Sequence, residues 1–121
     1  MIRPFSSRSP STNAVNPVVT STHFEDDLLR LPATDRKRVL IVLRDTLPSE
    51  PLPPNLNIKA TKGHAPWLRL RVGDWRIIFR PLARSELEAV RQRRGRESAR
   101  GYYVETVVRR SELHRVARRL R

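Results

Sequence analysis

The chain has 121 residues, 38% of them apolar, and a formal net charge of +13, which leaves room for one domain with a modest core and not for two. It has no cysteine, which excludes disulfides and thiolate metal sites and fits a reducing, cytoplasmic setting. No apolar run nears the roughly 20 residues of a membrane span, so no membrane partner is expected.

Of the 25 basic residues, three are lysine and 22 are arginine. Arginine forks onto phosphate and stacks on bases, so the bias points to nucleic acid; a GC-rich coding bias is the plainer reading of the same count.

Residues 1–14 hold Pro4, Pro10, Arg3, Arg8, many Ser and Thr, and no acid. Such a segment cannot bury a core and is expected to be a disordered tail. A targeting helix there would have to tolerate the prolines. Val15 to Thr20 is expected as a short edge strand, since Pro17 is tolerated only at an edge. Thr22-x-x-Glu25 reads as a capping box, with Phe24, Leu28 and Leu31 on one stripe of the helix that follows. Pro32 ends that run. Thr34 or Asp35 then caps a second helix to about Thr46, whose apolar face is Val39, Leu40, Val42, Leu43 and Leu47. Pro48 to Asn57, with four prolines, is a rigid connection, and Ile58 to Thr61 is a short strand.

Leu68 to Arg80 carries the clearest pattern. Leu68, Leu70 and Val72 alternate with Arg69 and Arg71; after Gly73-Asp74, Trp75, Ile77 and Phe79 alternate with Arg76, Ile78 and Arg80. Period two means two strands joined by a tight turn, one face apolar and one rich in guanidinium groups. Residues 82–101 interrupt the sheet as a basic insertion. Ser85 to Arg94 has the makings of two helical turns, Gly95 to Gly101 those of an open loop. The insertion is either a solvated tip or an added arm for RNA. Tyr102 to Val108 is apolar on both faces and is expected as a central strand. Arg110 to Arg121 closes the chain as a short helix with Leu113, Val116, Ala117 and Leu120 inside. The order β-α-α-β-β-β-β-α describes an α+β layer fold over residues 15–121.

The block Leu-Arg-Leu-Arg-Val-Gly-Asp-Trp-Arg-Ile-Ile-Phe, Leu68 to Phe79, resembles the central signature of the RelE/ParE toxin superfamily, small basic domains of bacterial type II toxin–antitoxin systems. Lys59-x-x-Lys62-Gly63 resembles the family's Lys-Leu-x-Gly turn, and Val108 to His114 its closing His-Arg-Arg-Asp/Glu-Val-Tyr motif. The resemblance implies an antiparallel-rich twisted sheet with two N-terminal helices on one face and a short C-terminal helix. It also implies a cognate antitoxin, acidic where it binds, as partner. One branch of the superfamily cleaves mRNA in the ribosomal A site, and another poisons DNA gyrase without hydrolysis. The first is the expected activity, with mRNA and the ribosome as partners. The gyrase inhibitor and a relative that only binds nucleic acid are the alternatives.

Metal-free RNA cleavage by the 2′-OH needs a base, cations for the phosphorane and an acid for the leaving oxygen. By resemblance, Arg76 and Arg110 hold the phosphate. Arg69, on the neighbouring strand, stabilises charge, because arginine stays protonated. His114 stands where the family has a tyrosine, and Arg109 where it has a histidine. Histidine as a residue type suits acid–base work near neutral pH, so His114 is the fourth catalytic candidate, or else a surface histidine. Lys59, Lys62, Arg71, Arg80 and Arg109 are expected RNA contacts. Trp67 is expected either to stack a base or to bound the sheet edge, while Trp75 belongs to the core. His64, on its turn, is a further acid–base candidate. His23, His64 and His114 lack metal-ligand spacing, so neither a metal nor another cofactor is expected.

Overall fold

In the computed structural model, the described residues are 16–49, 52–53, 56–61, 63–94 and 100–120. The expected tail at 1–14, Lys62 and residues 95–99 of the insertion lie outside them. Alternation in the sequence becomes a five-stranded sheet in the order β1-β5-β4-β3-β2. Its strands are β1 Val18–Thr20, β2 Ile58–Ala60, β3 Leu68–Val72, β4 Trp75–Pro81 and β5 Tyr102–Arg109. Only β1, on β5, is parallel; the β2–β3, β3–β4 and β4–β5 pairs are antiparallel. The β3–β4 link is the two-residue turn expected at Gly73-Asp74. Gly73 has φ +62°, a left-handed conformation that glycine adopts without strain.

Helices α1 (Thr22–Leu29) and α2 (Ala33–Ile41) cover the apolar face. Phe24, Leu31, Val39 and Leu47 meet Leu70, Val72, Trp75, Ile77, Phe79, Val104 and Val107 in one core cluster. The α1 cap lies one residue before the expected capping box. Ser21 Oγ accepts the Phe24 N–H at 3.0 Å and donates to the Glu105 carbonyl at 2.6 Å, so one hydroxyl both starts the helix and ties it to β5. For α2 the cap position is Pro32, with no side-chain cap, in place of Thr34 or Asp35. Proline's fixed φ suits a helix start and needs no donor of its own. The helix continues to Thr46 as expected, but Val42–Thr46 is a π turn. Leu40, assigned above to the apolar face, is 44% exposed; the buried stripe is the narrower set around Val39 and Leu47.

Helix α3 spans 11 residues, Arg84–Arg94, three turns where two were expected. Leu87 and Val90, three apart, are buried, enough to dock one face. Glu86 anchors its start: its carboxylate accepts the Ala83 N–H at 2.7 Å and both arms of Arg80 at 2.8 and 3.0 Å. Residues 110–112 form a 3-10 turn, and α4 is short, Leu113–Ala117, held on β5 by the buried Val116 and Ala117. No helix of the described residues is long and apolar enough to cross a membrane.

The Glu86 anchor gives a first prediction. Arg80 and the Ala83 N–H hold its carboxyl down to about 2. A depressed folded value stabilises above the ordinary carboxylate range, and the gain is lost as pH falls through about 2. The pair is partly solvated, so about 1 kcal/mol is at stake. Glu86→Ala is expected to lower Tm by roughly 4–8 °C at pH 7, with the gap to wild type closing on acidification below pH 4. Calorimetry at the two pH values checks this; an unchanged Tm at pH 7 would contradict it.

Candidate functional site

Residues paired directly across antiparallel strands share a face, so the register shows where the basic side chains gather. One row runs Lys59, Arg69, Ile78, Thr106; the next runs Arg71, Arg76, Val108. The β2–β3 half of this face is cationic. The β5 half is not: Ile78, Thr106 and Val108 are buried, and the C-terminal turn and α4 close that side. The guanidinium face read from the alternation is therefore confined to half of the sheet, because Ile78, Thr106 and Val108 are buried on the other half and α4 packs against β5.

At the boundary lies an open groove of about 580 Å³, lined by Asn57, Lys59, Arg69, Arg71, Arg76, Arg110, Ser111, Leu113 and His114. Three strands and the C-terminal turn build it. The Arg71 N–H donates to the Asn57 carbonyl at 3.1 Å, which draws Asn57 to its edge. The Arg110 N–H donates to the Asp74 carbonyl at 2.9 Å, which fastens the end of β5 to the β3–β4 turn. Arg110 and His114 are thereby brought opposite Arg69, Arg71 and Arg76.

Arg76 is half-buried among these cations. Its Nη1 donates to the carbonyls of Gly73 and Trp75, both at 3.0 Å, which fixes one nitrogen of the fork. Burial, then the charges of Arg71, Arg110 and Arg69, hold Arg76 below the ordinary arginine value, with Asp74 opposing. Among the described residues, five cations line the groove and no carboxylate does. Like charges at contact repel by about 1 kcal/mol in water and by more where solvent is partly excluded. A polyanion relieves that repulsion; neutral ligands do not. The charge of the groove therefore favours an anionic ligand over a neutral one.

The other expected site residues stand elsewhere. Arg80 is engaged by Glu86, and its guanidinium lies 5.4 Å from the Trp67 ring and 4.7 Å from the Tyr103 ring. Trp67 is 6% exposed and packs edge-on to Tyr103 at 6.3 Å, which leaves little indole for a base to stack on. Arg109 stacks 4.7 Å from Trp75 and lines a separate cavity between α1 and α4. His64 sits half-buried on its turn, away from the groove, and His23 lines the α1 side. Trp75 is in the core as expected. Asn57, Ser111 and Leu113 were not foreseen as groove residues. No periodic pattern marks Asn57, whereas Ser111 and Leu113 flank motif residues and share their turn. Among the described residues, no group of three or more His, Cys, Asp or Glu is placed to hold a metal ion.

Solved structures similar to this chain include two antitoxin–toxin complexes. The RelB–RelE antitoxin–toxin complex from Methanococcus jannaschii is matched at 21% identity and TM-score 0.57, over 81% of this chain and 96% of the other. The archaeal RelE–RelB complex from Pyrococcus horikoshii OT3 is matched at 20% identity and TM-score 0.54, over 79% and 96%. The chain has the RelE-type fold. No protein-family model matches it, and no curated protein sequence matches it significantly.

Proposed function

We propose that this protein is the toxin of a type II toxin–antitoxin pair and a metal-independent endoribonuclease that cleaves mRNA, on the ribosome, in the cytoplasm. The observation that carries this reading is the groove in which Lys59, Arg69, Arg71, Arg76 and Arg110 converge beside His114, with no carboxylate among the described residues that line it. In the reaction the ribose 2′-oxygen bonds to the adjacent phosphorus and the bond to the 5′-oxygen breaks. The products carry a 2′,3′-cyclic phosphate and a free 5′-hydroxyl. Arg76 meets the phosphorane oxygens, where charge accumulates, and Arg69 and Arg110 flank it. Lys59 and Arg71 follow the backbone phosphates on either side. His114, exposed at the mouth, gives a proton to the leaving 5′-oxygen, and the proton of the attacking 2′-hydroxyl passes to solvent water in the open groove. The partner is an acidic antitoxin that covers the cationic groove; the two similar folds were both captured with RelB.

One observation favours a second reading. Among the described residues no hydrogen bond orients His114, which favours a groove that binds RNA without cutting it, or a toxin that inhibits gyrase, over a nuclease. Induced expression separates these. Loss of amino-acid incorporation with supercoiling intact supports the nuclease, and loss of supercoiling with translation intact supports the gyrase inhibitor. Salt supplies a further check. Five groove cations predict that log K for single-stranded RNA falls with log[salt] at a slope of about −3.5. Lys59→Ala is expected to reduce that slope by about one with a uniform loss across sequences. A slope near zero would remove the groove as the RNA site.

A further inference from the structure

Residues 109–119 divide between two cavities. Arg110, Ser111, Leu113 and His114 face the cationic groove, whereas Arg109, Glu112, Arg115, Val116 and Arg119 face the cavity on the α1 side. Arg109 is the last residue of β5 and the cap of the 3-10 turn, with extended backbone at φ −70°, ψ 151°. It is therefore the hinge between the sheet and the segment that carries two of the proposed catalytic side chains. Its guanidinium lies over the ring of its cross-strand partner Trp75, 4.7 Å from the centroid. Trp75 is itself 8% exposed in the core cluster, so Arg109 is stacked on a fixed platform. The next residue supplies the second fastening, the Arg110 N–H to the Asp74 carbonyl.

We infer that Arg109 is a positioning residue: stacked on Trp75, it fixes the start of the 3-10 turn, so that Arg110 and His114 are presented to the phosphate in the groove. This rests on the nuclease reading above and assigns Arg109 a different task from phosphate contact. A guanidinium over an indole face is attracted by the ring's negative face, which favours one placement of Arg109 against Trp75. A loss of alignment of about 1 Å at a reacting centre costs about 100-fold in rate.

The test compares wild type with Arg109→Ala, Arg109→Lys, Trp75→Phe and the Arg109→Ala/Trp75→Phe double variant. Three quantities are read: kcat and KM for cleavage of an unstructured RNA, the salt slope of RNA binding, and amide exchange of Arg110 in the free protein. Arg109→Ala is expected to lower kcat about 10- to 100-fold, with KM within about twofold, an unchanged salt slope and faster exchange of the Arg110 amide. Arg109→Lys, which keeps a cation over the ring, should recover much of the loss, Trp75→Phe should reproduce it in weaker form, and the double variant should be no worse than Arg109→Ala. An unchanged kcat and amide, with KM raised and the slope reduced by about one, would make Arg109 a phosphate ligand and overturn the inference. Should wild type fail to cut RNA, the nuclease reading falls; the amide exchange of the same variants still decides whether Arg109 holds the turn, and unchanged exchange would overturn the inference in that case too.

Discussion

Arg76→Ala is expected to slow RNA cleavage by at least about 100-fold, comparable to removing one donor from an oxyanion hole. Arg76 is the cation that three other groove arginines surround, and two backbone carbonyls already hold one of its nitrogens. Its entropy of ordering is thus spent before substrate arrives, and its charge acts where solvent is partly excluded. Folding should be unimpaired, because the substitution removes repulsion with Arg71, Arg110 and Arg69 along with two hydrogen bonds in an open turn. Arg76→Lys restores the charge without the planar fork and should recover only part of the rate. Single-turnover kinetics beside a melting curve check both halves. A loss below about tenfold with native stability would move the phosphorane site to another cation.

Phe79→Ala is the stability counterpart. Phe79 is fully buried at the centre of the sheet and meets Tyr102 edge-on with ring centroids 5.7 Å apart. Truncating a buried phenylalanine typically costs about 3–5 kcal/mol, against the roughly 5–15 kcal/mol that holds a domain of this size. The variant is expected to be largely unfolded at 37 °C, or to show a denaturant midpoint far below wild type with the same slope. A loss under about 1.5 kcal/mol would mean that the site collapses around the cavity and that the core is looser than its burial implies.

The contrast between those two positions marks how much the sequence conveyed. Period two in Leu68–Phe79 was sufficient to locate β3, β4, their turn and the core stripe of Leu70, Val72, Trp75, Ile77 and Phe79. It also placed Arg69, Arg71 and Arg76 on the other face, where the structure has them. The element order was legible as well, except that α3 came out longer and docked. Its anchor is an ion pair between Arg80 and Glu86, six residues apart across a change from strand to helix, which no single period reports. The same limit applies to the arginines. Arg76, Arg80 and Arg109 are indistinguishable as letters, but Arg80 is taken by Glu86 and two rings, Arg109 by Trp75, and Arg76 is left among like charges. Alternation tells which face a guanidinium occupies; tertiary partners decide whether it meets solvent or ligand. The cap of α1 was missed by one residue because Ser21 and Thr22 are both competent caps, and the Glu105 carbonyl on β5 selects the serine.

The measurement that tests the central claim most directly is end-mapping of a translated mRNA after exposure to the purified protein in excess chelator, with Arg76→Ala alongside. Discrete cuts that survive the chelator, end in 2′,3′-cyclic phosphate and 5′-hydroxyl groups, and vanish with Arg76→Ala are the predicted result. Intact mRNA under conditions where the protein binds it, or cuts that persist in Arg76→Ala, would contradict the assignment of the groove as a ribonuclease site.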